Sequence, residues 1–198
     1  MDPTSLPLFP LHTVLFPGGP LSLRIFEARY LDMVRRCLKE GGGFGVLLIL
    51  EGAEAGAVAQ LAAIGTRARV VDFDTLSDGL LGIACLGEQR FTLGRRWQQE
   101  DGLHLGEVEY LAPESACAVP AELAHLAELL REVLPRLGGP YMHVEAHYDD
   151  AGWVGNRWAE ILPLEPGQKQ QLLELTDPLL RLEKVAAWSA RQPPAAHV

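Results

Sequence analysis

Hydrophobic and polar positions first alternate, then cluster, and then recur at helical spacing as the chain is followed from its amino terminus. Leu6-Pro7-Leu8-Phe9-Pro10 and Leu21-Ser22-Leu23-Arg24-Ile25 predict short extended segments on either side of Phe16-Pro17-Gly18-Gly19-Pro20, which forces a turn-rich loop. Proline supplies no ladder donor, so its density here predicts edge strands. From Glu27 the period becomes helical. Tyr30, Leu31, Val34, Cys37 and Leu38 fall on one face, and Arg29, Asp32, Arg35, Arg36 and Lys39 on the other. Gly41-Gly42-Gly43 ends that helix. Phe44 to Leu50 reads as a buried strand and Ile64 to Phe73 as an alternating one, with Thr66, Ala68 and Val70 opposite Arg67, Arg69 and Val71. The acidic and alanine-rich stretch between them is expected to be a loop.

Asp78-Gly79 and Asp101-Gly102 are hairpin-turn signals. They predict a β-meander of three strands, Leu80 to Leu86, Phe91 to Gln99 and Leu103 to Leu111, with a β-bulge at Gly106, where the apolar phase changes. Beyond Pro113 helical spacing takes over. Leu123, Leu126, Ala127, Leu130, Leu134 and Leu137 form one stripe, running from near Pro120 to Gly138-Gly139 with Pro135 in its last turn. Further helices are marked by Val154, Trp158, Ile161 and Leu162, by Leu172, Leu173 and Leu175, and by Leu179, Leu182, Val185 and Ala186. Asp177-Pro178 offers an N-cap followed by proline at the first helical position. This change of period divides the chain into a β-rich segment over residues 1–114 and a helical bundle over 115–191, with a disordered tail at 192–198. The fold class is α+β.

The chain has 198 residues, 48% of them hydrophobic, enough to fold on burial without disulfides or a structural metal. Seventeen Lys and Arg against 26 Asp and Glu give a net charge of −9, which opposes phosphate backbones and anionic lipid. Neither nucleic acid nor a membrane is therefore expected as a partner. Cys37, Cys85 and Cys117 are odd in number, widely spaced and set in apolar sequence, as suits buried thiols in a reducing cytosol. The amino terminus lacks a signal pattern and no run approaches the ~18 apolar residues of a membrane span, so a cytoplasmic protein is expected.

No Gly-Lys pair occurs, so the sequence holds no phosphate-cradling G-x-x-x-x-G-K-[ST] loop. The glycines at 41–45 follow a helix and precede a strand, the reverse of the order that aims a helix amino terminus at a pyrophosphate. His143-Val144-Glu145-Ala146-His147 spaces two imidazoles four residues apart, with Asp149 and Asp150 as nearby oxygen donors. Pro140 and Asp149-Asp150-Ala151-Gly152 make this segment a connector, and H-E-x-x-H is not matched. No metal, cofactor or catalytic residue is assigned, and a metal-dependent hydrolase using His143 and His147 ranks last among the readings.

Leu6 to Gly18, followed by Leu23-Arg24-Ile25-Phe26-Glu27-Ala28-Arg29-Tyr30, resembles the opening of the Lon protease amino-terminal, or substrate-binding, domain. The resemblance continues through Ile64-Gly65-Thr66-Arg67-Ala68, Gly87-Glu88-Gln89-Arg90-Phe91, Lys169 to Glu174 and Arg181-Leu182-Glu183. It implies a PUA-like β pseudo-barrel holding one helix, followed by a small α-helical bundle. It also implies a stand-alone member of that family, without the Walker lysine of the ATPase or the Ser-Lys dyad of the peptidase. The function so implied is a non-catalytic module that binds unfolded or extended polypeptide, or a partner protein, as an adaptor in protein quality control.

Prolines at 7, 10, 17 and 20 hold the opening segment extended, so little further entropy is lost when it binds. Phe9, Leu15, Phe16 and Pro17 are accordingly the expected peptide-binding residues, on an apolar groove beside the proline-rich loop. Phe26, Tyr30 and Phe91 are expected in the core, and Glu27 is expected to cap its helix and pair with an arginine. PUA-like barrels elsewhere recognise RNA, which makes a small-ligand or RNA binder the alternative, against the acidic charge.

Overall fold

The computed structural model describes residues 4–52 and 58–189. Strand β1 (Thr4–Leu11) runs antiparallel to β7 (His104–Tyr110) as far as Leu8, and parallel to β3 (Phe44–Gly52) from Leu8 onward. In turn β3 pairs with β5 (Ile64–Thr75), β5 with β6 (Leu81–Gln98) and β6 with β7, all antiparallel. Five strands thus close into a ring. Two more hang on it: β2 (Pro20–Ile25) pairs with β6, and β4 (Val58–Leu61) with β3.

This topology corrects four expectations. β1 is an edge strand only by halves, since the ring uses one side of it and then the other. It tolerates its prolines because each half has one laddered side: Pro7 lies opposite Leu105 of β7, and Pro10 opposite Leu47 of β3. The stretch before Ile64 is not all loop, since β4 lies in it. The first two strands of the expected meander are one 18-residue strand, β6, and the meander is β5-β6-β7. Finally, the β6–β7 register slips between Leu93 and Arg96, which puts the extra residue in β6 and leaves Gly106 in regular pairing with Arg96.

Helix α1 (Ala28–Glu40) follows β2 and ends on Gly41, whose φ of 65° is the left-handed cap glycine adopts at least cost. It sends Tyr30, Met33, Val34 and Cys37 into a core with Phe9, Phe44, Ile83 and Leu103. Leu38, expected on that face, is 44% exposed. Glu27 holds the N-cap position without a side-chain capping bond, and instead pairs with Arg29 at 2.6 Å.

The helices that follow are α2 (Ala124–Leu137), α3 (Ala151–Ile161), α4 (Pro166–Glu174) and α5 (Pro178–Ser189). Asp177 caps α5 by accepting the Leu179 N–H at 2.9 Å. Leu126, Ala127, Leu130 and Leu134 pack with Trp153, Val154 and Leu182. The expected division at residue 114 lies between β7 and these helices, yet one core spans it. Phe16, Leu48 and Ala62 are buried with Ala159, Leu162, Leu172, Leu173 and Val185. The expected tail, 192–198, lies outside the described residues. Among those described, no helix is long and apolar enough to cross a membrane.

Candidate functional site

The proline-rich segment turns its apolar side chains inward. Phe16 is fully buried in the core between strands and helices, Leu15 is 3% exposed, and Phe9 stacks on Tyr30 with ring centroids 3.9 Å apart. Leu15 and Phe16 therefore present no free surface to a polypeptide, whereas Phe9, though buried, lines a cavity beside β2. Burying a large apolar side chain is worth about 1.5–3 kcal/mol. The loop is pinned as well. Thr66 Oγ1 donates to the Leu15 carbonyl at 2.6 Å, and the Gly18 N–H to Gly87 O at 2.7 Å. A Cβ at Gly87 would collide with the Phe16 carbonyl, so only glycine admits the loop so close to β6. Pro17 is half-buried, and its carbonyl accepts from Arg157 Nη2 at 2.9 Å.

Apolar surface appears instead on the strand that this loop feeds. β2 is hydrogen-bonded to β6 along one edge and pairs with no other strand of the described residues. Two cavities flank it and share Ser22, Leu23 and Arg24. One of about 260 Å³ is lined by Phe9, Leu11, Ile25, Phe26 and Tyr30, and one of about 330 Å³ by Phe73, Leu76 and Ile83. Phe26 is 64% exposed and Phe73 59%, so Phe26 is not the core residue expected. It sits between the end of β2 and the N-cap of α1, where the chain reverses, and nothing in the apolar pattern distinguishes it from Ile25. The charges along this groove are largely internal: Arg24 pairs with Asp78, Glu27 with Arg29, and Asp72 faces His143 at 3.7 Å.

A broader cavity of about 660 Å³ lies among β1, α1 and β7, over Met33, Cys37 and Tyr110. Its Glu88 is held by both Arg67 and Arg69. Cys37 and Cys85 are buried, and burial pushes the Cys85 thiol up to about 12.

Where strands meet helices, buried guanidiniums stitch the fold. Arg90 and Arg181, 5% and 1% exposed, share the Glu114 carboxylate, and they also donate to the Leu172, Leu173 and Leu175 carbonyls that end α4. Arg157 binds Glu160 through two nitrogens at 2.9 and 2.6 Å. A lone Arg in a helix or strand gives no sign of burial in the sequence, so the apolar pattern does not predict this role for them. His143 and His147 do not share a helical face. His143 ends a 3-10 turn, and His147 lies in irregular chain near Glu145 and the edge of Trp153. Among the described residues no three His, Cys, Asp or Glu side chains group as metal ligands.

Comparison with known proteins agrees with this architecture. The crystal structure of a Lon N-terminal domain protein from Xanthomonas campestris is 44% identical with a TM-score of 0.76, over 93% of this chain and 98% of that one. The N-terminal domain of a Mycobacterium avium complex Lon protease, 18% identical, shares the fold with a TM-score of 0.68. A Lon protease of Paraburkholderia phytofirmans is 30% identical over 183 residues, and one of Phenylobacterium zucineum 28% over 191. The matches take in 88% and 92% of this chain but only 22% and 24% of those proteases. Residues 5–189 match the model of the ATP-dependent protease La (LON) substrate-binding domain, and the chain belongs to that family.

Proposed function

We propose that this chain is a non-catalytic module that holds extended polypeptide along the free edge of β2, and that it serves as an adaptor in protein quality control. The observation that carries the reading is the unpaired edge of β2 beside exposed Phe26 and an apolar cavity, with a second apolar cavity and exposed Phe73 on the sheet face formed by β2, β6 and β5. An extended segment adds main-chain hydrogen bonds to such an edge, and its alternate side chains enter the flanking pockets. Membership of a substrate-binding family supports the reading, and so does the chemistry of the groove. Asp72 and Asp74 beside it disfavour a nucleic-acid backbone, as does the net charge of −9. The buried free thiols Cys37 and Cys85 argue for a reducing compartment such as the cytoplasm.

Fluorescence anisotropy with a labelled, permanently unfolded polypeptide and its folded counterpart tests this. Saturable binding of the unfolded form alone is expected. The surface variant F26S/F73S should weaken it by about tenfold or more, as loss of aromatic anchors does. Binding that survives this variant unchanged would remove β2 from the reading.

A further inference from the structure

The ladder between β2 and β6 fixes which backbone groups of β2 are left on its free edge. Gly87 N–H donates to Gly19 O at 2.8 Å, and beyond it Leu21 stands opposite Cys85, Leu23 opposite Ile83 and Ile25 opposite Leu81. Bonded pairs alternate along an antiparallel ladder, so these odd positions bond to β6 and the even ones turn away from it. Ser22 and Arg24 accordingly carry both an N–H and a C=O on the free edge, and Pro20 a C=O alone. No other strand of the described residues pairs there.

This edge is complementary to itself. A second copy laid antiparallel against it is related by a two-fold axis, which can pass beside residue 22, 23 or 24. Beside 24 it sets Arg24 against its own copy, and like charges directly opposite each other destabilise a strand pair. Beside 22 it sets Arg24 against the partner's Pro20, which has no N–H to give. Beside 23 it sets Ser22 against the partner's Arg24 and Arg24 against the partner's Ser22, and each of these pairs exchanges two main-chain hydrogen bonds. The same register brings Leu23 beside the partner's Leu23, Leu21 beside the partner's Ile25, and Phe26, 64% exposed, beside the partner's Pro20. No unpaired charge is buried by it, since Arg24 is paired with Asp78 and Glu27 with Arg29.

We propose that β2 pairs with the β2 of a second copy of this chain about Leu23, and that this dimer closes the edge until extended polypeptide displaces it. The inference rests on the β2 edge being the polypeptide site, and it supplies that site's regulation. Pairing covers a row of main-chain groups that would otherwise template aggregation. An edge of 6 residues is short beside the ~800 Å² per partner that a stable complex buries, so the dimer is weak and exchanges readily. A free polypeptide makes the same main-chain bonds and also puts side chains into the cavity beside Phe9, Leu11 and Tyr30. The partner's strand does not, because the partner's Leu21, Leu23 and Ile25 are committed to their own core.

Analytical ultracentrifugation of the whole chain from micromolar to millimolar protein reads the association, and a mass rising from one chain towards two is expected. Ser22→Pro removes an N–H that β6 does not use, so it should keep the unfolding midpoint and hold the protein monomeric. Cysteines read the register, with Cys117→Ser removing the partly exposed native thiol. Leu23→Cys should cross-link two chains on mild oxidation, because the axis sets its Cα about 4.5 Å from its own copy, within the span of a disulfide. Leu21→Cys, on the same face, meets the partner's Ile25 and should not cross-link. If Ser22→Pro does not fold, this pair of cysteine variants decides. Unfolded polypeptide should return the dimer to single chains. A chain that stays monomeric to millimolar concentration while binding polypeptide overturns the dimer and leaves the polypeptide site standing. Equal cross-linking from both positions, or a dimer that persists at saturating polypeptide, overturns the proposal too. Failure of the dilute monomer to bind polypeptide strikes the underlying reading, and the regulatory role with it.

Discussion

Phe16 and Phe26 stand ten positions apart and do opposite things, and the difference can be measured. Phe16 is fully buried between strands and helices, so Phe16→Ala should cost about 3–5 kcal/mol in denaturant melts. Phe26→Ser, on a side chain 64% exposed, should change stability by less than about 0.5 kcal/mol. The thiols divide in the same way. Burial raises the Cys37 and Cys85 thiols, while Cys117 is partly exposed, so native protein treated with iodoacetamide at neutral pH should be alkylated at Cys117 first. Mass spectrometry of the labelled chain reads the order. None of these differences was legible in the local sequence. Phe16 is buried by Leu162, Leu172 and Val185, which arrive about 150 residues later, and no local pattern announces partners so distant.

Elements were legible where their signals are local. Asp177-Pro178 marks the start of α5, Gly41 the end of α1, and the Leu126, Leu130 and Leu134 stripe the buried face of α2. The continuity of β6 was not. Gly87-Glu88-Gln89-Arg90 looks like a turn, but Gly87 is there to admit the Phe16 carbonyl, and Arg90 to reach the end of α4. Removing the carboxylate that Arg90 shares with Arg181 should be severe. Glu114→Ala strands two buried guanidiniums and is expected to cost about 3–5 kcal/mol, read by thermal or chemical unfolding.

Glu160 pairs with Arg157 of its own helix and joins α3 to its neighbours through Tyr141 and the Lys169 ammonium, which donates to its backbone carbonyl. Burial pushes its carboxyl up from 4.5 to about 7, outweighing the pull of Arg157 and Lys169. A carboxyl harder to ionise in the folded than in the unfolded chain takes up a proton on folding. Its contribution is full below about 4.5 and is lost as pH rises through about 7. Unfolding free energy measured between pH 5 and 8 should therefore fall with a slope that Glu160→Gln removes.

For the whole molecule, the period change near residue 112 marked the passage from strands to helices, but it said nothing of how the two parts adhere. The shared core around Phe16 and the Arg90–Glu114–Arg181 cluster tie them together. Trp97 in β6 and Trp153, Trp158 and Trp188 in α3 and α5 should accordingly report one unfolding midpoint, coincident with loss of backbone circular dichroism. Two separated transitions would mean that the strands and helices are independently stable.

Ring closure also sets an order in time. β1 emerges first from the ribosome, yet Thr4 pairs with Val108 and Leu8 with His104, so the first strand waits for roughly a hundred residues of synthesis before its antiparallel neighbour exists. At about 5–20 residues per second that is on the order of 5–20 s, during which the Thr4–Leu8 half of β1 has no ladder partner. Pro7 and Pro10 interrupt the apolar run of β1 at alternate points. They deny a neighbouring nascent chain the continuous row of donors that aggregation requires, and so protect the strand until the seam can close.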